Sequence, residues 1–287
     1  MSKHNSIQPP FGTYSPNKKI QKKIDWCQKL PANWFGKQMA QILRKHVLSK
    51  SKTPLDLVLQ KTKLRCYLTD NVSERNFVFI PWRFDAKELQ LMKQVLPDDG
   101  VFIDIGANIG IYSAIASTVL NSKGTIVAIE PNPPVFERLQ FNLLATTEDQ
   151  KHKPQVVLLD CGISDQLGEF QLFLDSNNLG ASSLQQKDLA NQKSITIACL
   201  PLIDVIRQHS ITSIDVVKCD IEGCEDQALV PFLRDASDQL LPKCFIFENN
   251  QDQWQTDLLK ALTQRNYSLT HKTRMNFIYQ RLSDGEL

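Results

Sequence analysis

The sequence predicts an α/β protein built on an open, doubly wound, mostly parallel sheet with helices on both faces, preceded by a basic helical arm. Three observations predict it. Between residues 100 and 248, short apolar runs rich in Val and Ile alternate with stretches of helical periodicity, the pattern of parallel strands joined by helical crossovers. Glycines and acidic residues recur just after those runs, where such a sheet has its ligand-binding edge. The first 53 residues stand apart in charge, with eleven Lys and Arg against the single acid Asp25, a local +10, while the rest of the chain carries −8.

Composition bounds the reading further. At 287 residues, 42% hydrophobic and 22% charged, the chain has apolar mass for one large domain or a domain with an extension, which excludes global disorder. Its uninterrupted apolar runs are a few residues long, whereas a membrane-spanning helix needs about 20. Pro9, Pro10, Asn17 and scattered lysines leave no apolar stretch of a secretory signal in the first thirty residues. The expectation is a cytoplasmic chain, with the basic arm allowing a peripheral place on the inner membrane surface. Seven cysteines are spread without a C-x-x-C or zinc-like spacing, so reduced, core-packed thiols are expected.

The elements follow in order. Trp34, Phe35, Met39, Ile42, Leu43 and Val47 recur near helical spacing, interleaved with Lys37, Arg44 and Lys45. That helix fits a membrane surface or a cap over an acidic or lipid-linked substrate, and equally a helix packed on the body with its lysines in water. Residues 64–69 and 77–80 read as short strands. Asp85 and Glu88 have capping-box spacing before a helix at 86–95, which Pro97 follows. Residues 101–105, 125–129, 155–159, 214–218 and 245–247 read as buried strands. Helices at 111–120, 133–144 and 225–233 separate them, the second with Asn132 at its N-cap and Pro133 at N1. Strands at 170–174 and 194–200 flank a polar loop, and 267–271 with 276–279 form an antiparallel hairpin. The expected organisation is a basic extension over 1–53, lead-in strands and a helix over 54–99, and the main domain over 100–287.

The residues at the strand ends carry the chemistry. Asp104-Ile105-Gly106-Ala107-Asn108-Ile109-Gly110 leaves the first strand and enters a helix. Gly106 and Gly110 allow close approach to the backbone, and the helix start offers free N–H groups. The spacing D-x-G-x-N-x-G lacks the G-x-G-x-x-G of a dinucleotide turn. An acid beside the turn suits a cation such as a sulfonium with its ammonium group. Glu130 ends the second strand, placed to accept both ribose hydroxyls of a nucleoside, with Asn132 two residues on. Asp160 ends the third strand, where an adenine edge would lie. The fourth delivers Lys218, Asp220, Glu222 and Gly223, and Glu248 ends the strand beyond it. Acids gathered on one rim repel, so a general base, a divalent metal or an ion pair with Lys218 is needed to account for them.

These motifs together resemble the FkbM family of methyltransferases. The resemblance runs over 102–110, 128–133, the Ser-containing loop Leu179-Gly180-Ala181-Ser182-Ser183-Leu184, and the block from Asp215 to Glu225, in which Cys219 and Cys224 stand where aliphatic or small residues are usual. It implies the class-I methyltransferase (Rossmann-like) fold, a seven-stranded sheet with one antiparallel strand. It also implies S-adenosyl-L-methionine as cofactor, and methyl transfer to an oxygen of a sugar, glycan or other secondary metabolite. The implied cofactor residues are Asp104, Gly106, Asn108, Gly110, Glu130, Asn132 and Asp160. Ser182 and Ser183 would lie on the substrate loop, and Glu222, Asp220 and Glu248 would be catalytic, with Glu222 placed first as base. No resident metal is expected, although Asp220 and Glu248 would suit one. The expected partner is a small-molecule or glycan acceptor, with no nucleic acid and with lipid or lipid-linked contact through the arm. An NAD-dependent oxidoreductase, and a non-catalytic module binding the adenosyl cofactor, also fit part of this pattern.

Overall fold

The computed structural model describes residues 8–175, 178–185 and 192–282, divided into two compact units between Phe84 and Asp85. That boundary falls inside the 54–99 stretch read as a lead-in. The first unit holds α1 (Lys18–Cys27), α2 (Trp34–Lys50), the hairpin β1 (Leu55–Leu59) and β2 (Thr62–Cys66), and α3 (Val72–Phe79). All three helices begin at an asparagine, Asn17, Asn33 and Asn71, whose side-chain oxygen accepts a first-turn N–H. Residues 77–80, expected as a strand, instead close α3 and bury Phe77, Val78 and Phe79. A four-residue apolar run fits either conformation, and the cap at Asn71 decides it. The stripe expected on α2 is also split, because Gly36, Ala40, Leu43 and Val47 are buried while Trp34, Phe35 and Ile42 stay exposed. Among the described residues no helix is long and apolar enough to cross a membrane.

The second unit opens with α4 (Ala86–Val95). Its large sheet contains β3 (Val101–Ile105), β4 (Thr125–Ile129), β5 (Gln155–Leu159), β9 (Val216–Cys219), β10 (Cys244–Glu248), β11 (Tyr267–Lys272) and β12 (Asn276–Arg281). Their spatial order is β5-β4-β3-β9-β10-β12-β11, with β12 the one strand that runs against the others. This is the class-I, Rossmann-like arrangement that the resemblance implies. Helices α5 (Ile111–Ser117), α6 (Pro133–Thr147), α7 (Leu202–Gln208), α8 (Glu225–Asp235) and α9 (Leu258–Gln264) connect or flank the strands. A separate small sheet of β6 (Gly162–Ile163), β7 (Gly168–Phe173) and β8 (Ser194–Leu200) lies between β5 and β9 in sequence. All seven cysteines are free and buried, as packing residues rather than a disulfide framework.

The core of the sheet explains where its chemistry sits. Ile103, Ile105, Val127, Ile129, Val217, Cys219, Phe245 and Phe247 pack with Leu229, Phe232 and Leu258 into one apolar cluster. Within the central strands β3 and β9 only two side chains are charged, Asp104 and Lys218, and the register sets them directly opposite each other. The strand order reverses between β3 and β9, so the crevice at their carboxyl ends is the topological switch point of the sheet, the usual ligand position in open α/β folds.

Candidate functional site

Four strand-end segments meet at this switch point. The turn after β3 is tied to β4, since Gly106 N and Ala107 N both donate to Ile129 O, at 3.0 and 2.9 Å. Gly106 has φ +70°, and a Cβ there would sit 1.9 Å from Asp220 O. The glycine is therefore required by the close passage of the β3 and β9 turns, a stronger constraint than the ligand clearance read from the sequence. Gly110, at φ +86°, faces Leu139 of α6 at 2.6 Å from the same hypothetical Cβ, so it serves helix packing. Asn108 lies between them at φ +53°, a conformation that asparagine tolerates better than most residues.

Glu130 is the hinge between two of these segments. Its Oε2 accepts from Asn108 N and its Oε1 from Asn132 N, both at 2.9 Å. Each oxygen keeps capacity for one more donor, which is what a vicinal diol offers. Burial raises its pKa to about 7 against the opposing pull of those two amides and of Lys218. Asn132 does not cap α6 with its side chain. Its Nδ2 instead reaches Leu179 O at 3.2 Å and Ser182 Oγ at 3.3 Å, fastening the Ser-containing loop to the end of β4. Asp160 is exposed just beyond β5, on the same edge of the sheet.

Asp104 is fully buried below the turn, and its Oδ2 accepts from Ser113 Oγ at 2.6 Å. Burial raises its pKa, opposed by Lys218 and Ser113. Its other oxygen has no hydrogen-bond partner and lies 3.7 Å from Lys218 Nζ. The carboxylate thus lies beneath the turn where the sequence places it, with Ser113 and Lys218 as its neighbours. Lys218 Nζ donates to Gly106 O at 2.9 Å, stands 3.4 Å from Asp220 Oδ2 and lies over the Tyr112 ring at 5.5 Å from its centroid. Burial works against the ammonium, but Asp220, Asp104 and Asp85 outweigh it and hold its pKa above the ordinary value.

The acidic rim is real and compact. One oxygen each of Asp220, Glu222 and Glu248 lies within 4.8 Å of the others, a spacing a divalent cation would accept, although Lys218 already sets a positive charge beside Asp220. Glu222 has φ +57° and Gly223 φ +104°, a tight exit from β9 that is braced on several sides. Buried Glu225 accepts from Ile221 N and Gly223 N at 3.2 and 3.1 Å and from Trp254 Nε1 at 2.8 Å. Ser183 Oγ donates to Glu222 O at 2.9 Å, and Gln185 Nε2 to Gly223 O at 2.9 Å. Ser182 Oγ donates to Leu179 O at 3.2 Å, so both loop serines make contacts within the protein.

Glu248 accepts from Asn250 Nδ2 at 2.6 Å, and burial, with Asp220 and Glu222 nearby, raises its pKa to about 8. A carboxyl whose folded pKa exceeds its ordinary value of 4.5 stabilises the fold below about pH 4.5, and that contribution is lost as pH rises through about 8. Glu248→Gln should therefore melt close to the wild type near about pH 5 and above it near about pH 9, which differential scanning calorimetry would read. A gap that is the same at both pH values would remove Glu248 from the titration.

Sequence reasoning missed a second set of acids. Asp85 has left-handed backbone (φ +41°) and makes no side-chain cap to α4. Its carboxylate accepts from Tyr112 Oη at 3.0 Å and from Asn276 Nδ2 at 3.2 Å. Glu88 accepts from the same Asn276 Nδ2 at 2.9 Å and from Thr273 Oγ1 at 2.5 Å. The capping box is thus a correction, because both acids turn to the β12 edge and away from the helix backbone. Asn276 is the sheet partner of Glu248, which ties this network to the rim. Burial, then Glu88 and Asp220, raises the Asp85 pKa to about 6.

Comparison with known proteins bears on this arrangement. The family model described as the methyltransferase FkbM domain matches residues 104–269. The chain is 28% identical over 148 residues to the hexuronic acid methyltransferase AglP of Haloferax volcanii, covering 51% of this chain and 56% of that protein. It is 26% identical over 162 residues to the methyltransferase sdnD of Sordaria araneosa, covering 47% and 61%. The chain thus spans less than two thirds of the length of these curated relatives. A solved SAM dependent methyltransferase from Aquifex aeolicus matches 68% of this chain and 88% of its own at 11% identity, with a TM-score of 0.38, too distant a superposition to bear on the site.

Proposed function

This chain belongs to the FkbM methyltransferase family, and on that premise we propose that it transfers a methyl group from S-adenosylmethionine to a hydroxyl oxygen of a sugar, glycan or other secondary metabolite. One observation carries the reading. At the sheet's switch point, a buried carboxylate with spare acceptor capacity, Glu130, lies across the turn from a rim of three more, Asp220, Glu222 and Glu248. The first suits a ribose diol, and the second suits hydroxyl protons.

The donor set fits the adenosyl cofactor. Glu130 would hold its ribose, Asn108 and the Gly106–Gly110 turn its amino-acid side, and exposed Asp160 the adenine edge. Asp104 acts through Lys218, which fixes the Gly106 carbonyl. When bound, the sulfonium supplies the methyl group as an electrophile. The chain's part is then to align the acceptor, an effect worth up to about 7–11 kcal/mol, and to receive its proton on the rim. Glu222 is the first candidate for that proton and Asp220 the second. Asn132 and Ser182 hold the loop over 178–185 to the β4 end, while Ser183 and Gln185 hold it to the Glu222 turn, so this loop orders both halves of the site.

A rim of three carboxylates beside one ammonium favours a neutral, polyhydroxylated acceptor over an anionic one. Hexuronic acid, the acceptor in the name of AglP, is the informative comparison in an acceptor panel. The first experiment is calorimetric titration with S-adenosylmethionine, S-adenosylhomocysteine and NAD. Binding of the first two without NAD supports the proposal, whereas binding of NAD alone would replace it with an oxidoreductase. Glu130→Gln should weaken S-adenosylmethionine about tenfold to a hundredfold in the same titration, the worth of a charge-assisted hydrogen bond. Because the Glu130 carboxyl titrates at about 7, wild-type binding near neutral pH should release a proton that the variant does not.

A further inference from the structure

We propose that the first unit docks on an anionic lipid surface through the exposed side of its α1–α2 hairpin. Trp26, Trp34, Phe35 and Ile42 are 63%, 74%, 58% and 62% exposed, an unusual cost for side chains of this size. They are not scattered. Trp26 ends α1 and Trp34 begins α2, so both indoles lie at the same end of the hairpin. On α2, Phe35, Met39 and Ile42 recur at helical spacing, a second apolar stripe about 100° around the helix from the buried Gly36, Ala40, Leu43 and Val47.

Charge identifies the occupant. Lys18, Lys22 and Trp26 follow one another at intervals of four residues on α1, and all three are exposed. Lys29, Lys45 and Lys50 are exposed beside the apolar positions, and over residues 18–50 Asp25 is the single acid. Indoles at a rim with lysines around them match the interface of a bilayer, where rings sit at headgroup depth and ammonium groups meet anionic lipid. Each lysine near such a surface adds about a factor of five in partitioning. A second copy of this chain would bring the same positive charge against itself. Aliphatic Met39 and Ile42 offer nothing to a nucleic-acid base that stacking requires.

The test uses the full chain and vesicles of phosphatidylcholine, with and without phosphatidylglycerol, in a sedimentation assay at low and high salt. Binding is expected only with phosphatidylglycerol, should weaken about tenfold or more at high salt, and should shift tryptophan emission to the blue. A Trp34→Ala, Phe35→Ala, Ile42→Ala variant should lose about a hundredfold in partitioning. The variant Lys18→Glu, Lys22→Glu, Lys29→Glu, which alters no buried side chain, should lose at least as much, with circular dichroism and thermal midpoint unchanged. Absence of binding, equal binding to both vesicles, or wild-type binding by both variants overturns the proposal. So does a dimer, or an RNA complex, that forms in preference to vesicle binding and is lost in the same variants. None of these readouts depends on methyl transfer.

Discussion

Lys218→Ala is expected to destabilise the second unit by about 3–5 kcal/mol, a fall of about 10 °C in its unfolding midpoint. The force of the prediction lies in what the lysine leaves behind. Asp104 sits opposite it on the neighbouring strand with no exposure, and one of its oxygens has no hydrogen-bond partner. Without the ammonium, that oxygen would face an apolar sheet interior, and the carboxyl would take up a proton or open the strands to water. The contact with Asp220 contributes far less, since the Asp220 side chain is 41% exposed and screened by water. Asp104→Asn should therefore recover much of the loss when combined with Lys218→Ala, whereas Asp220→Asn should recover little. Urea titration of the single and double variants reads the coupling directly. Additive losses from Asp104 and Lys218 would mean that the pair is not the element holding β3 to β9. The lost bond to Gly106 O should also loosen the turn, so cofactor affinity should fall with stability.

Much of this site was legible in the sequence for a simple reason. In an open parallel sheet the strands are apolar throughout, so an ionisable residue at a strand's end stands out, and Asp104, Glu130, Asp220, Glu222 and Glu248 were all found that way. Where each side chain turns was less legible. Asp104 looks the same in sequence whether it faces a ligand or a lysine, and only the register of β3 on β9 pairs it with Lys218. Asp85 and Glu88 fit a helix cap perfectly by spacing, yet their partners Tyr112 and Asn276 lie 27 and 191 residues from Asp85 along the chain. Long-range contacts of that kind leave no local pattern. The same holds for Glu225, whose role as brace of the Glu222 turn needs Trp254 from a later segment. Short apolar runs are the other weakness, since 77–80 fits a strand by pattern while Asn71, just upstream, caps a helix that runs into it. The antiparallel hairpin at the chain's end was plain, because its two strands are adjacent in sequence and share one turn.

Glu222→Gln should lower kcat by about 10²–10⁴, the range for loss of a general base, while S-adenosylmethionine binds as before. The turn itself is held through its backbone and its neighbours. The Glu222 carbonyl takes the Ser183 hydroxyl, and Glu225 takes the flanking amides of Ile221 and Gly223. Glutamine disturbs none of these bonds and matches the shape of the side chain, so a loss of turnover reports the carboxylate itself. Its neighbours sharpen the assignment. Glu248, raised by burial beside Asp220 and Glu222, holds its proton to about pH 8, so near neutral pH it is poorly placed to serve as a base. A base must be ionised before it can accept, which favours Glu222 and Asp220 over Glu248. If Glu222→Gln turns over like the wild type while Asp220→Asn does not, the proton goes to Asp220, next to Lys218. If both variants are active and only Glu248→Gln is slow, the acceptor needs a donor from the rim more than a base. Single-turnover rates for the three variants at saturating cofactor separate these outcomes, because each assigns the proton to a different oxygen in a cluster only 4.8 Å across.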